Sequence, residues 1–325
     1  MQETSTELET THSKPTLAFK GQGSEFFGIQ IVNVLLTLVT LGLYYPWAKA
    51  KELQYLYRKT ELAGSAFTFH GTGKEMFIGF IKGLGILAVL YGVFFIGFAS
   101  GSNMVKLVCF LTFFVGFLVL IPIAIHGMLR YRTSRTSWRG IHMGYRGNAT
   151  KFMKLYLGQF LLTIVTFGIY ASWFTVNVRK EIIGNLRFGN AKFKYIGEGS
   201  DLFLIHVKAY FFTLPTLGIY LFWYAKELLN FYVNNILIEQ NGKYSRLDSE
   251  VTGMDYLKLT VVNLFILIFT LGFGYTWVVT RTMNLILSKC EIIGEFNPDE
   301  LEQTEEEYKN AAYEDMADML DIGIV

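Results

Sequence analysis

The chain has 325 residues, of which 52% are hydrophobic, 16% aromatic and only 17% charged, and its mean hydropathy is +0.34. This composition is too apolar for an ordinary soluble domain and indicates an integral membrane protein. The net charge of +2 combines a basic body with an acidic end, because residues 291–325 hold 12 of the 27 acidic residues and one base, Lys309. Two cysteines, Cys109 and Cys290, are too few for a disulfide framework or a metal cluster.

The N-terminal segment is polar and lacks a basic stretch followed by an apolar one, so we expect no cleavable signal peptide. We divide the chain into a disordered N-terminus (1–16), a repeat-built transmembrane domain (17–290) and an acidic cytoplasmic tail (291–325). The tail has two interpretations. It is either a solvated extension or a segment that docks on the basic surface of the body.

Six apolar stretches follow the N-terminus. Each is about as long as the ~20 residues that cross a ~30 Å hydrocarbon core. They are Phe26 to Leu43, Phe77 to Phe98, Leu107 to Leu129, Phe152 to Phe174, Leu202 to Tyr224 and Tyr256 to Val279.

One set of residues returns four times at fixed offsets. A first glycine or alanine is followed by a threonine 17 residues later, a glycine 19 residues later and a tryptophan 24 residues later. The copies are Gly23, Thr40, Gly42 and Trp47; Ala149, Thr166, Gly168 and Trp173; Gly199, Thr216, Gly218 and Trp223; and Gly253, Thr270, Gly272 and Trp277. A related unit at Gly73 has no tryptophan and contains two full apolar stretches. The pattern predicts five repeated units that start near residues 17, 67, 143, 193 and 247.

Alternating apolar residues precede most of the first glycines, as in Leu17 and Phe19 or Phe193 and Tyr195, and they predict strands with one buried face. Turn dipeptides such as Asn241-Gly242 predict hairpins, which must lie outside the lipid because an open sheet edge cannot be satisfied there. We therefore predict a mainly α, multi-spanning helical membrane protein. It would consist of about five helix-turn-helix units with short β-hairpins between them at the cytoplasmic surface.

Two topologies fit the apolar stretches. If each stretch crosses the membrane once, 16 bases lie inside and 12 outside, which hardly satisfies the positive-inside rule. If the chain instead turns back at each Thr-X-Gly element, 28 of the 29 bases are cytoplasmic and only Lys106 lies outside. The glycines and tryptophans of the motif would then form uncharged turns, with the aromatic rings in an interfacial belt.

Several polar residues interrupt the apolar stretches. Asn33, Gln159 and Asn263 share one offset and lie about 12 Å along their helices at 1.5 Å per residue. Such amides either join helices or line a polar path. Lys82 and Lys208 share another offset, and they either extend to lipid phosphates or belong to the same polar interior.

Residues with recognisable catalytic or ligand spacing are missing from the sequence. The histidines show no metal-ligand pattern, and no Ser-His-Asp, HExxH or CxxC element occurs. We predict no catalytic residues, no metal site, no cofactor and no enzyme activity. The arginine-rich run at 129–140 lies beside an apolar stretch and indicates anionic lipid headgroups rather than nucleic acid as a partner.

The motif TLGLYYPWAKAKE (40–52), the following GTGKE (71–75), the echoes TFGIYASW (166–173) and TLGIYLFWYAKE (216–227), and the acidic end AAYEDMADMLDIGIV (311–325) resemble the YjgN-like family of bacterial inner-membrane proteins. That family is defined as a domain of unknown function. The resemblance covers the chain after the first 16 residues and implies a location in the bacterial inner membrane, without supplying site residues.

Two functions follow from these observations as hypotheses. The first is a transporter or channel for a small solute, ion or lipid, because parallel repeats occur in transporters. The alternative is a membrane scaffold or lipid-organising protein that transports nothing.

Overall fold

The computed structural model describes residues 15–304. Most of the predicted N-terminal segment and residues 305–325 of the predicted tail, with the AAYEDMADMLDIGIV sequence, lie outside the described residues.

Helices occur in consecutive pairs, each joined by a short turn. They are α1 (Gly23–Val39) and α2 (Tyr45–Lys59), α3 (Gly73–Ala99) and α4 (Asn103–Ser134), α5 (Ala149–Val165) and α6 (Ala171–Gly184), α7 (Gly199–Thr213) and α8 (Tyr220–Asn234), and α9 (Gly253–Phe269) and α10 (Tyr275–Ser288). The two helices of a pair are antiparallel: Phe26 near the start of α1 stacks on Tyr55 near the end of α2, with ring centroids 5.0 Å apart. The chain therefore reverses at each Thr-X-Gly element, as in the second of the two topologies.

Strands connect one helical hairpin to the next. They are β1 (Leu17–Phe19), β2 (Thr60–Leu62), β3 (Ser65–Phe69), β4 (Thr136–Trp138), β5 (Ile141–Tyr145), β6 (Leu186–Phe188), β7 (Ala191–Tyr195), β8 (Ile236–Gln240), β9 (Lys243–Ser249) and β10 (Cys290–Gly294). All neighbours pair antiparallel in the order of the sequence. Thr16 bridges to Glu291 of β10, so the first and last strands approach each other and the sheet is nearly closed into a barrel.

The predicted fold class was wrong in two respects. The strands do not form separate surface hairpins but one ten-stranded antiparallel sheet within residues 15–304. In the same range only α3 and α4 are long and apolar enough to cross a membrane, so the chain is not a bundle of repeated spanning helices. The physical reason is that the Thr-X-Gly turn ends the apolar helix in four hairpins, and each helix of these pairs is 14 to 17 residues long.

The interior of the barrel is filled by large apolar side chains. Trp138 is 1% exposed, its ring meets Phe188 edge-on at 5.9 Å, and Phe67 lies 6.2 Å from Phe188. The Trp138 indole N–H donates to the Leu62 and Ser65 carbonyls at 3.2 and 2.9 Å. The polar atom of this buried ring is thus satisfied, and the barrel has a solid core.

The segment that follows β10 crosses the end of the barrel. Phe296 and Leu301 are buried in the same core as Trp138. The Gln240 side chain donates to the Asn297 carbonyl and accepts from the Asn297 N–H, both at 3.0 Å. Arg139 forms an ion pair with Asp299. Residues 295–304 therefore dock on the body, largely through buried apolar side chains, and the docking of the remaining acidic tail on a basic surface stays a prediction.

Aromatic rings at the strand ends fold over the glycines two residues later. A side chain at Gly147 would overlap the ring of Tyr145, and Gly21, Gly71 and Gly197 have the same relation to their own strands. The fifth unit differs, because its strand ends in Ser249 and the glycine is replaced by Val251, which is 1% exposed.

Candidate membrane-binding surface

The turn between α1 and α2 is stabilised by Thr40. Its hydroxyl donates to the Leu36 carbonyl at 2.7 Å and accepts the Tyr44 N–H at 2.9 Å. The equivalent threonines at 166, 216 and 270 make the same two bonds. One side chain thus bonds to a carbonyl near the end of the first helix and to an N–H at the start of the second, which has no partner within its own helix.

The backbone of this turn is left-handed at two consecutive residues. Leu41 has φ +51° and Gly42 has φ +92°, while the Gly42 N–H donates to the Thr37 carbonyl at 2.8 Å, the pattern of a Schellman cap. Glycine adopts the second conformation without strain, which explains its place in the motif.

Large apolar residues occupy the first left-handed position in four hairpins. Leu41, Phe167, Leu217 and Leu271 are 94%, 97%, 92% and 88% exposed, with φ near +50°. Glycine or asparagine is the usual choice at such a position, and the left-handed conformation costs about 1–2 kcal/mol for other residues. Transfer of one such side chain from water to hydrocarbon yields about 1.5–3 kcal/mol, so an apolar environment offsets the strain. We call these four residues the tip residues.

The helices of the five hairpins differ in length. At 1.5 Å per residue, α1 with 17 residues is about 25 Å long and α3 with 27 residues is about 40 Å, against a hydrocarbon core of about 30 Å. The most apolar windows of α3 and α4 have mean hydropathies of 2.0 and 2.8 and are 0% and 6% buried. A helix from the core of a soluble protein would be mostly buried, whereas the apolar surface of this pair faces outward.

The predicted polar residues are engaged inside their own hairpins. Asn33 is 1% exposed, and its amide donates to the Ala48 carbonyl at 3.2 Å. Gln159 accepts from Asn177 at 2.8 Å. These amides join the two helices of one pair, and the contacts of the described residues do not bring them together.

The third amide, Asn263, also bonds within its own hairpin, and one of its partners is a charged side chain. Asn263 is 8% exposed, donates to the Thr282 hydroxyl at 3.4 Å and accepts from Arg281 Nε at 3.3 Å. Of the two predicted lysines, Lys208 is exposed on α7 and Lys82 is half-buried on α3.

The tryptophans of the motif contact the next hairpin. A side chain added at Gly73 would lie 2.7 Å from the Cα of Trp47, and one at Gly199 would lie 2.8 Å from the Cα of Trp173. Trp223 covers Gly253 in the same way, and Trp277 of the last hairpin covers Gly23 of the first. Sequence reasoning placed these rings in an interfacial belt and missed this contact. The sequence did contain a sign of this contact. Only one unit begins with alanine in place of glycine, at Ala149, and it follows the hairpin that lacks the motif tryptophan.

A model of a family described as "Bacterial protein of unknown function (DUF898)" matches residues 14–225 and again 209–319. The chain belongs to this family. The resemblance derived from the repeated motif is thereby confirmed.

Curated relatives of this DUF898 protein carry the name "Inner membrane protein YjgN". The one from Salmonella typhimurium is 27% identical over 50% of this chain and 42% of its own length. The relatives from Escherichia coli O157:H7 and Escherichia coli K12 are 34% and 35% identical, each over 40% of this chain and 31% of its own length. The matches thus span less than half of these relatives, and no solved structure matches the chain.

Proposed function

We propose that this protein resides in the bacterial inner membrane as a lipid-contacting scaffold. The α3–α4 pair crosses the bilayer, and the four shorter hairpins insert their tips into one leaflet. The basic loops and the acidic tail lie on the cytoplasmic side, and the protein has no enzyme activity. The names of the relatives support the location, and the DUF898 family supplies no activity.

The observation that carries the proposal is the chemistry of the tip residues. Four strained, almost fully exposed apolar residues in equivalent turns are costly in water and favourable in hydrocarbon. The four side chains together gain roughly 6–12 kcal/mol on insertion, counting about 1.5–3 kcal/mol for each.

The transport hypothesis stays a prediction that is less well supported than the scaffold. A solute path needs polar groups that converge on a channel. Asn33, Gln159 and Asn263 instead bond within separate hairpins. The barrel below them is filled by Trp138 and Phe188.

Cysteine accessibility tests the insertion. In a background with Cys109 and Cys290 replaced by alanine, Phe167→Cys should resist a membrane-impermeant maleimide in intact and in inverted vesicles, and should react after detergent is added. Arg139→Cys, in a β-hairpin turn with the same left-handed backbone, is the matched control and should react in one vesicle orientation. A Phe167→Cys residue that reacts before detergent is added would refute the insertion.

A further inference from the structure

A cleft of about 440 Å³ lies along α9 and α10 of the fifth hairpin. Its lining is about half polar and half apolar. The residues that matter for its chemistry are Lys258, Arg281, Asn284, Leu259, Val262 and Leu285.

One residue that lines the cleft lacks the aromatic ring or polar end of its counterparts. Five residues before the following strand, the other hairpins carry Tyr55, Tyr131, Glu181 and Phe231, whereas the fifth carries Leu285. In the first hairpin Tyr55 fills this place: its hydroxyl accepts the Gln22 N–H and donates to the Gln22 carbonyl, both at 2.9 Å. Leucine cannot make these bonds, and Leu285 lines the cleft instead.

Two cations face this groove. Arg281 donates its Nε to the buried Asn263 side chain at 3.3 Å, which holds the guanidinium against the helix pair. Within residues 15–304, neither Arg281 nor Lys258 lies within 4.0 Å of a carboxylate oxygen.

Asp255 also lines the cleft, but its carboxylate belongs to the helix cap. It accepts the Thr252 N–H at 3.1 Å and the Thr252 hydroxyl at 2.8 Å. The hydrogen bond from the Thr252 side chain contributes most to lowering the pKa of Asp255. The carboxylate is therefore held at the start of α9, where the charge of Lys258 also lowers its pKa without a direct ion pair.

The combination of charges is particular to the fifth hairpin. The positions of Lys258 and Arg281 correspond to Gly28 and Lys51 in the first hairpin, Lys154 and Asn177 in the third, and Leu204 and Glu227 in the fourth. Lys51 of the first hairpin donates to the Tyr44 hydroxyl at 2.9 Å. Of these four hairpins, only the fifth has a cation at both positions.

We propose that the cleft binds one anionic phospholipid. Lys258 and Arg281 hold the phosphate group, and Leu259, Val262 and Leu285 contact the first part of an acyl chain. The inference rests on the proposed insertion of the hairpins, which places the groove beside the lipid. Cations next to hydrocarbon are costly unless they meet an anion, and a lipid phosphate is the anion at that depth.

Native mass spectrometry of the purified full chain in detergent tests the site, with phosphatidylglycerol and phosphatidylcholine titrated in parallel. The wild type should retain one phosphatidylglycerol in preference to phosphatidylcholine. Arg281→Gln should weaken that binding roughly ten- to hundredfold, the usual effect of a lost charge-assisted hydrogen bond. Lys154→Gln, at the position equivalent to Lys258, is the matched control and should bind as the wild type does.

A second variant blocks the cleft without changing its charge. Leu285→Tyr restores the aromatic residue of the first hairpin, and it should also abolish the preference for phosphatidylglycerol at an unchanged melting temperature. Equal binding of the two lipids by the wild type, or full binding by Arg281→Gln and Leu285→Tyr, would overturn the site. Equally tight binding of soluble glycerol 3-phosphate would overturn the lipid assignment in favour of a solute.

The tip experiment separates the two proposals. A protected Phe167→Cys residue without any phosphatidylglycerol preference overturns the lipid site alone, whereas a tip that reacts before detergent is added overturns the insertion.

Discussion

The contact between neighbouring hairpins predicts the effect of a single methyl group. Gly199 begins α7, and an added Cβ would meet the backbone of Trp173 at 2.8 Å as well as its ring. A backbone atom cannot swing away as a flexible side chain does, so the hairpins must separate. Overpacking of this kind costs about 1–3 kcal/mol.

Gly158→Ala is the matched control, because this helical glycine has nothing within 4 Å of the added methyl group. Replacing glycine by alanine within a helix otherwise stabilises it by about 0.5–1 kcal/mol. Gly199→Ala should therefore be less stable than Gly158→Ala by the overpacking cost of about 1–3 kcal/mol. The measurement is the free energy of unfolding in detergent, followed by far-UV circular dichroism during denaturant titration.

A compensating change sharpens the test. The other four hairpins have a tryptophan thirteen residues ahead of the strand that follows them. The α3–α4 hairpin, which precedes Ala149, has Ile123 at this position. Adding Trp173→Ile to Gly199→Ala reproduces that natural pair and should recover part of the lost stability. If Gly199→Ala were as stable as Gly158→Ala, the proposed packing of tryptophan on glycine would be refuted.

Two further changes test the turn and the barrel. Thr166→Val leaves the Tyr170 N–H of the turn without its partner, whereas the Leu162 carbonyl still accepts the N–H of residue 166 at 3.0 Å. The change should cost about 1–3 kcal/mol, measured by the same titration. Thr112→Val, within the continuous helix α4, is its control and should cost clearly less, and equal losses would contradict the role of the turn. Phe296→Ala should lower the free energy of unfolding by about 3–5 kcal/mol, because the side chain is 6% exposed in the barrel core. A loss below about 1 kcal/mol would mean that the segment after β10 is not part of that core.

The turns could be predicted from the sequence because their determinants are local. Threonine bonds within four residues on either side, and glycine supplies a left-handed conformation whatever surrounds it. The strands before the first glycines were also visible, since Leu17, Phe67, Met143 and Phe193 each lie two residues before an aromatic residue, with a small or polar residue between them.

Most partner strands could not be predicted in this way. β2, β4 and β6 have three residues each, too few for a periodic pattern. They become strands because the preceding helix and the following hairpin turn place them next to a longer strand. Closure of the sheet depends on residues far apart in the chain, such as Thr16 and Glu291.

For the candidate sites, too, the sequence identified some residues but not their contacts. The amides at 33, 159 and 263 were identified from their shared offset, but the partner of each lies on the returning helix and was not predicted. The cleft at Lys258 and Arg281 was not predicted, because its lining residues lie on two different helices, α9 and α10, that only the folded hairpin brings together.

By itself, the sequence determined the apolar character of the chain, its repeated turn and its family, because composition and local bonding need no distant contact. The tertiary structure decided what the repeated residues touch. Trp277 and Gly23 lie at opposite ends of the chain, and their contact exists only because the last hairpin returns to the first. The repeated tryptophan thus packs between neighbouring hairpins. Residue spacing along the chain does not reveal such a contact when it joins the last hairpin to the first.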